Sequence, residues 1–338
     1  MNKFKILVTG GLGYIGSHTV VELIQAGYEV VIVDDLSNTR IEVLEGIHEI
    51  TGVLPEFCQM DLRNTALVRS LLEQHHFHGI IHFSAYKAVG ESVSKPLAYY
   101  ENNVSALVGL LQYYAKGNFI FSSSCTVYGQ ADVMPISEVT PRKKALSPYG
   151  NTKSIGEDVI QDYAQVNNEF KAILLRYFNP IGAHQSAAIG ELPNGVPQNL
   201  VPFVTQTAIG KRQELKVFGN DYPTPDGTCI RDYIHVVDLA KAHVKSLERL
   251  LTNQADTNCE VFNVGTGKGS SVLEVIQAFE LVSGQKLNYS FAPRREGDIT
   301  EAYANTDKAQ TLLGWKATHS LEDAMRSAWA WEKKIHGE

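Results

Sequence analysis

The segment SPYGNTK sets Tyr149 four residues before Lys153, opening a run with helical spacing, TKSIGEDVIQDYAQ. At i, i+4 on a helix the two side chains share a face. An ammonium held there favours the phenolate and draws the tyrosine towards the working pH, as a general base for an alcohol requires. Upstream, FSSSCTVYG closes a strand-like run, where Ser124 is placed to hydrogen-bond the hydroxyl that Tyr149 deprotonates. Strand-end capping is the plainer reading of Ser122 and Ser123. Cys125 lacks the His/Asp pairing that a nucleophilic thiol needs and reads as packing.

A second chemistry-bearing stretch is LVTGGLGYIGSH, residues 7–18. Gly11, Gly13 and Gly16 spell G-x-G-x-x-G, while Gly10, Gly13 and Gly16 spell G-x-x-G-x-x-G. In either register, missing Cβ atoms let a strand-to-helix turn approach a pyrophosphate, with the phosphates on the helix N-terminus. The following strand ends in Asp34, 18 residues after Gly16, close to the usual spacing of an acid that binds an adenosine ribose. Asp34 and Asp35 would repel a 2′-phosphate, which favours NAD over NADP. Asp35 can equally cap a turn in DDLSNT. Asp61 lies after the third strand, where an adenine would rest, and can equally be the N-cap of the helix beginning near Asn64.

These residues need a scaffold. Apolar strand runs (FKILVT, EVVIVDDL, EFCQMDL, GIIHFSA, NFIFSSSC) alternate with helical runs (GSHTVVELIQAGY, NTALVRSLLEQ, KPLAYYENNVSALVGLLQYYA). That alternation specifies a parallel, doubly wound α/β sheet. After about Asn179 the chain turns rich in Pro, Gly and Asn, with later strands LKVFG and CEVFNVG, which suggests a smaller C-terminal α/β substrate domain. The boundaries read as 1–178 for a dinucleotide domain, with sheet segments returning from roughly 229–262, and 179–338 mainly for substrate. The 338 residues, 44% of them hydrophobic, suit a core of this size. A net charge of −7 gives no footprint for nucleic acid. The four cysteines lack metal or disulfide spacing, so no metal is expected. With neither a signal-peptide core nor an apolar membrane span, a cytoplasmic protein is expected.

In combination these motifs resemble the extended short-chain dehydrogenase/reductase family, whose glycine form is Gly10, Gly13 and Gly16, with Gly11 as an extra turn glycine, and whose triad matches Ser124, Tyr149 and Lys153. Within it the chain looks like the enzymes that invert UDP-hexoses at C4′. The stretches ILVTGGLGYIGSHT, HFSAYKAVGESV, LRYFNPIGAH, NLVPF, GTCIRDYIHVVDLA, FNVGTGKGSSVLE and RREGD carry that likeness over essentially the whole length. The resemblance implies a Rossmann fold, a homodimer built from two helices per subunit, and an NAD that stays bound. UDP-glucose and UDP-galactose would interconvert through a 4-keto sugar, oxidised at C4′, rotated and reduced on its other face. Implied NAD contacts are Gly10, Gly13, Tyr14, Ile15, Gly16, Asp34, Asp35, Leu36, Ser37, Asn38, Asp61, Leu62, Phe83, Ser84, Ala85, Lys87, Asn102, Ser122, Tyr149, Lys153, Tyr177, Phe178 and Pro180. Implied substrate contacts are Lys87, Ser124, Tyr149, Asn179, Asn199, Leu200, Phe218, Arg231, Tyr233, Arg295, Asp298 and Ala302. Arg231 and Arg295 would grip the pyrophosphate, a planar fork suiting phosphate oxygens. Core packing remains open for Leu200 and Phe218, as does an ion pair of Arg231 with Asp232 or Asp238.

Two departures from the family pattern matter. Ser84, Ala85 and Tyr86 replace other residues beside the nicotinamide, so cofactor affinity could differ. Ala302 stands where members restricted to UDP-glucose and UDP-galactose carry a large aromatic, which leaves room for N-acetylated sugars. A dehydratase on this scaffold would need an Asp-Glu pair just after Ser124, where this chain has Cys125 and Thr126.

Overall fold

The structure, a computed structural model, describes residues 4–295 and 298–337. The chain runs β1 (Lys5–Thr9), α1 (Tyr14–Gln25), β2 (Glu29–Asp34), α2 (Val43–Thr51), β3 (Glu56–Gln59), α3 (Thr65–Gln74), β4 (Gly79–His82), α4 (Val89–Ser94), α5 (Pro96–Tyr100), α6 (Ala106–Tyr113), β5 (Gly117–Ser124), α7 (Pro148–Val166) and β6 (Phe170–Tyr177). It continues through β7 (Asn179–Ile181), α8 (Leu200–Ala208), β8 (Leu215–Phe218), β9 (Ile230–Arg231), β10 (Tyr233–His235), α9 (Val236–Leu251), β11 (Cys259–Val264), β12 (Ser270–Ser271), α10 (Val272–Ser283), β13 (Tyr289–Ala292), β14 (Glu301–Ala302), α11 (Asp307–Leu313) and α12 (Leu321–Ile335).

Seven strands form a parallel sheet in the order β11-β6-β5-β4-β1-β2-β3. This is the doubly wound fold expected. Strand residues alternate between its faces, Ile6, Val8, Val30 and Ile32 entering one core and Leu7, Val31 and Val33 the other. Both cores are apolar because helices cover both faces, which is why the strands read as nearly continuous hydrophobic runs. Strand order reverses between β1 and β4, and a doubly wound sheet opens its ligand crevice at that point.

Of the 229–262 stretch, β11 forms the sheet edge and α9 packs against α1, whereas β9 and β10 pair outside the sheet, with β12 and β14 and with β7. The C-terminal part has its own core, Val204, Val217, Val275, Phe279, Met325 and Trp329. A fourth cluster, Val127, Tyr128, Ile136, Phe178, Ala302 and Ala304, joins residues from both parts.

The run KPLAYYENNVSALVGLLQYYA is not one uniform helix. Between α5 and α6 the backbone widens into a π-helical turn over Glu101–Ser105. The Asn103 side chain accepts from Tyr86 N (2.8 Å) and donates to Tyr86 O (3.0 Å) and Thr152 Oγ1 (3.0 Å), a demand that regular helical spacing would not meet. Among the described residues no helix is long and apolar enough to cross a membrane.

Candidate active site

Gly10 ends β1 at a positive φ of 68°, and a Cβ there would lie 2.7 Å from Ser84 N, so the glycine turn and the loop after β4 touch at the switch point. A Cβ on Gly16 would sit 2.2 Å from Gly10 O, and one on Gly11 2.8 Å from the Ile32 side chain. Gly10 and Gly16 therefore close the turn, and Gly11 serves packing on β2. Gly13 is the N-cap residue of α1, with Tyr14, Ile15 and Gly16 in the first turn. The backbone there forms a cradle no other residue would fit, and its helix start faces the crevice.

Asp34 ends β2, its carboxylate accepting from Leu12 N (3.2 Å) and Leu36 N (3.0 Å). Burial pushes its pKa up to about 6 against those backbone bonds. It thus braces the glycine turn through both carboxylate oxygens. Leu36 holds a positive φ of 61°, a costly conformation for leucine, in the loop carrying Ser37 and Asn38. Asp35 accepts from Ser37 N (2.9 Å), the turn cap left open above. Asp61, which follows β3 just before Leu62, is not a helix cap: it pairs with Arg63 (2.7 Å), and Asn64 caps α3 by accepting from Leu67 N. Phe83 packs against His243 with the rings tilted at 50° and centroids 4.7 Å apart, and Asn102 lies in the π-helical turn, donating to Asn103.

Ser124 is the last residue of β5, and Tyr149 and Lys153 fall in the first turns of α7. Ser147 caps that helix by accepting from Gly150 N (3.1 Å), with Pro148 at its first position. The Lys153 ammonium donates to Ser122 O (2.6 Å) and lies 6.0 Å from the Tyr149 ring centroid. The spacing predicts a lowered phenol. Instead burial pushes Tyr149 up to about 12, with Cys125 adding to the rise and the Ser124 hydroxyl opposing it. Burial also brings Lys153 down to about 8, against the pull of Glu157. Desolvation is the largest cause for both groups and sets the direction of each shift.

Ser122 and Ser123 do not cap the strand. Ser122 pairs with the Tyr177 hydroxyl, and Ser123 donates to Glu157, which a bidentate Arg176 (2.8 and 2.6 Å) neutralises in full burial. Burial pushes the Cys125 thiol up to about 12, so it stays protonated and inert as a nucleophile.

Facing this triad is a second cluster. Among the described residues Arg231 pairs with neither Asp232 nor Asp238 but with Asp298 (3.7 Å). Asp232 is buried, holding Thr266, Gly267 and Ala304 backbone N–H groups, and Asp238 holds those of Thr318 and His319. Arg295 also meets Asp298 (3.1 Å) and stacks over Phe218 at 4.7 Å. The charges of Arg231, Arg295 and Asp298 all act on the buried Tyr233 phenol, whose pKa burial raises. Cys125 links the clusters, sensing Arg231 on one side and bearing on Tyr149 on the other. Ala302 pairs with Arg231 in strand register and is buried among Tyr128, Phe178 and Ile136. Asn179 donates its backbone N–H to Asp232 O (2.9 Å), and Pro180 follows it in β7. Leu200 packs against the C-terminal core.

Sequence reasoning missed Glu191. Its Oε1 accepts from Asn199 Nδ2 (2.6 Å) and Lys87 Nζ (3.3 Å), joining two candidate residues 112 positions apart. It sits in a loop without periodicity, so no local signal marks it.

A protein-family model described as GDP-mannose 4,6 dehydratase matches residues 7–328. The UDP-glucose 4-epimerase of Bacillus subtilis (strain 168) is 50% identical over 330 residues, 97% of this chain and 96% of that protein. The chain belongs to the UDP-glucose 4-epimerase family. Two solved structures of such epimerases bear on the site. The enzyme from Stenotrophomonas maltophila, with bound NAD and formylated UDP-arabinopyranose, superposes with a TM-score of 0.96 at 46% identity over 99% of both chains. The UDP-Glc/GlcNAc 4-epimerase from Campylobacter jejuni superposes with a TM-score of 0.84 at 37% identity over 98% of both chains. Unlike the dehydratase pattern weighed above, this chain places Cys125 and Thr126 rather than two acids after the site serine.

Proposed function

We propose that this chain is an NAD-dependent UDP-hexose 4-epimerase that interconverts UDP-glucose and UDP-galactose. The observation that carries the reading is that Ser124, which ends β5, and Tyr149 and Lys153, in the first turns of α7, meet at the carboxyl edge of the sheet, with the Lys153 ammonium held by Ser122 O (2.6 Å) and 6.0 Å from the Tyr149 ring. The cradle of Gly10, Gly13 and Gly16 fits a pyrophosphate, with Asp34 for the adenosine ribose, Lys153 on the nicotinamide side and Lys87 placed to serve both cofactor and substrate. NAD, when bound, supplies the reversible oxidation at C4′ and a cationic ring that favours the phenolate.

In this reading Tyr149 takes the proton from the 4′-hydroxyl and later returns it, while Ser124 orients that hydroxyl. Lys153, tied to Ser122 O, supplies the positive charge that keeps a buried phenolate accessible. Arg231 and Arg295 hold the diphosphate as planar forks, and Phe218 and Tyr233 line the cleft beside them. A firm grip on the UDP with few contacts to the sugar lets the 4-keto intermediate turn over before reduction.

Ala302 supports a wider range. An alanine paired with Arg231 in strand register is smaller than a large aromatic at that position, so UDP-GlcNAc and UDP-GalNAc are proposed as further substrates. Val93 and Leu97, 64% and 81% exposed on α4 and α5, suit a homodimer packed through these helices and α7. Four unpaired cysteines suit the reducing cytoplasm.

Incubating the purified protein, without added NAD, with UDP-galactose and with UDP-GalNAc, and resolving the products, tests the reading. Formation of the 4′-epimers is expected from both. No epimer of UDP-galactose even with NAD supplied would overturn it, and no turnover of UDP-GalNAc alone would remove the wider range.

A further inference from the structure

The Glu191 carboxylate lies where the two candidate anion-binding side chains converge. Its backbone cannot move aside: Trp331 Nε1 donates to Glu191 O (2.9 Å), and a Cβ on Gly190 would sit 2.5 Å from the Trp331 ring. A tight hairpin pairs Ala183 with Gly190 just before it. From that fixed point the side chain, 10% exposed, reaches Asn199 and the largely exposed Lys87 through a single oxygen. Lys87 Nζ also stands 5.9 Å over the Tyr14 ring, and burial raises the Tyr14 phenol, with Glu191 adding to the rise. The carboxylate therefore gathers groups from the glycine turn, the loop after β4 and the start of α8.

We propose that Glu191 is a positioning residue for the UDP-sugar, an internal anion that holds Lys87 and Asn199 in place and yields them to the substrate diphosphate. This rests on the epimerase reading. A diphosphate entering beside Glu191 meets its negative charge and must take over its two donors, so the carboxylate weakens UDP binding while keeping the donors ordered. In an enzyme whose product differs from its substrate only at C4′, such a competitor speeds exchange of one UDP-sugar for the next. A merely structural ion pair would lower stability when broken and leave UDP affinity unchanged or weaker.

The test measures UDP affinity by titration calorimetry and KM for UDP-galactose on the NAD-loaded full chain. Glu191→Gln keeps an acceptor for Asn199 but removes the charge. UDP binding should tighten about three- to tenfold, the scale of one unit charge acting over several Å near a protein surface, and KM should fall in parallel. In a Lys87→Met background the same substitution should change affinity less than twofold. Should Glu191→Gln not fold, Glu191→Asp retracts the charge by one methylene and should give a smaller tightening. Unchanged or weaker UDP binding in a folded, NAD-loaded variant overturns the proposal and leaves the epimerase reading intact. A wild type that binds no UDP overturns both.

Discussion

Tyr149 has a base's position but, at about 12, not yet a base's pKa, so its chemistry depends on the charges brought to it. Tyr149→Phe removes the proton acceptor and should lower kcat for UDP-galactose by roughly 10²–10⁴-fold with the fold intact, checked by turnover alongside the melting temperature. Lys153→Met leaves the phenol buried without its nearest ammonium. Its residual activity should rise only at higher pH than the wild type's, because losing a cation raises the phenol further. A pH profile that does not move would show that Lys153 acts only on the cofactor. The triad itself was legible in the sequence, because i, i+4 spacing on a helix fixes which side chains meet. The direction of the tyrosine shift was not, because burial is its largest cause and helix spacing says nothing of what packs around the phenol. Asp61 shows the same limit: its neighbour Arg63 claims it two residues on, and Asn64 takes the cap.

The elements decide whether those residues are held still. Ser147, the N-cap of α7, lies two residues before Tyr149, and Ser147→Ala should cost about 1 kcal/mol of stability. Because the first turn carries the catalytic hydroxyl, kcat should fall too while KM stays near wild type, which denaturant melts and steady-state kinetics read separately. Further along the helix, Glu157→Ala strands Arg176 in the core and should destabilise by about 3–5 kcal/mol, seen as a lowered denaturation midpoint. Strand alternation and helix periodicity made the sheet readable, since a doubly wound sheet buries both faces and leaves long apolar runs. The break between α5 and α6 was not readable, because its cause is the peptide of Tyr86, 17 residues away, which Asn103 holds. Glu191 escaped for the same reason: its partners come from the loop after β4, the N-cap of α8 and helix α12, so no local period links them.

At the scale of the whole molecule, stability against acid follows from histidines buried without charge. Burial lowers His18 and His82 to about 3 and His235 and His243 to about 4, from an ordinary value of 6.5. His18 sits on α1, His82 ends β4 and bonds Thr9 (2.8 Å), His235 opens α9 and His243 lies within it, so both parts of the chain carry them. Below about pH 6.5 the unfolded chain takes up protons at these positions and the folded chain does not. Stability is therefore fully present above that pH and is lost as pH falls towards 4, by up to ~1.4 kcal/mol per pH unit for each such histidine. Asp34 works in the opposite sense: its pKa of about 6 makes the folded chain bind a proton more readily than the unfolded one, so it adds stability on acidification. Glu22 and Asp232, likewise raised by burial, act with Asp34, but three carboxyls do not offset five lowered imidazoles, His184 being the fifth, so the balance remains a loss of stability on acidification. Urea midpoints between pH 7 and pH 4.5 should fall monotonically, and His243→Gln, which cannot ionise, should flatten the slope by about one proton. His243→Gln packs against Phe83 and Tyr177 and will itself lower stability at pH 7, so the slope rather than the midpoint is the quantity to compare. A slope unchanged by the substitution would place the acid lability in groups other than the buried imidazoles.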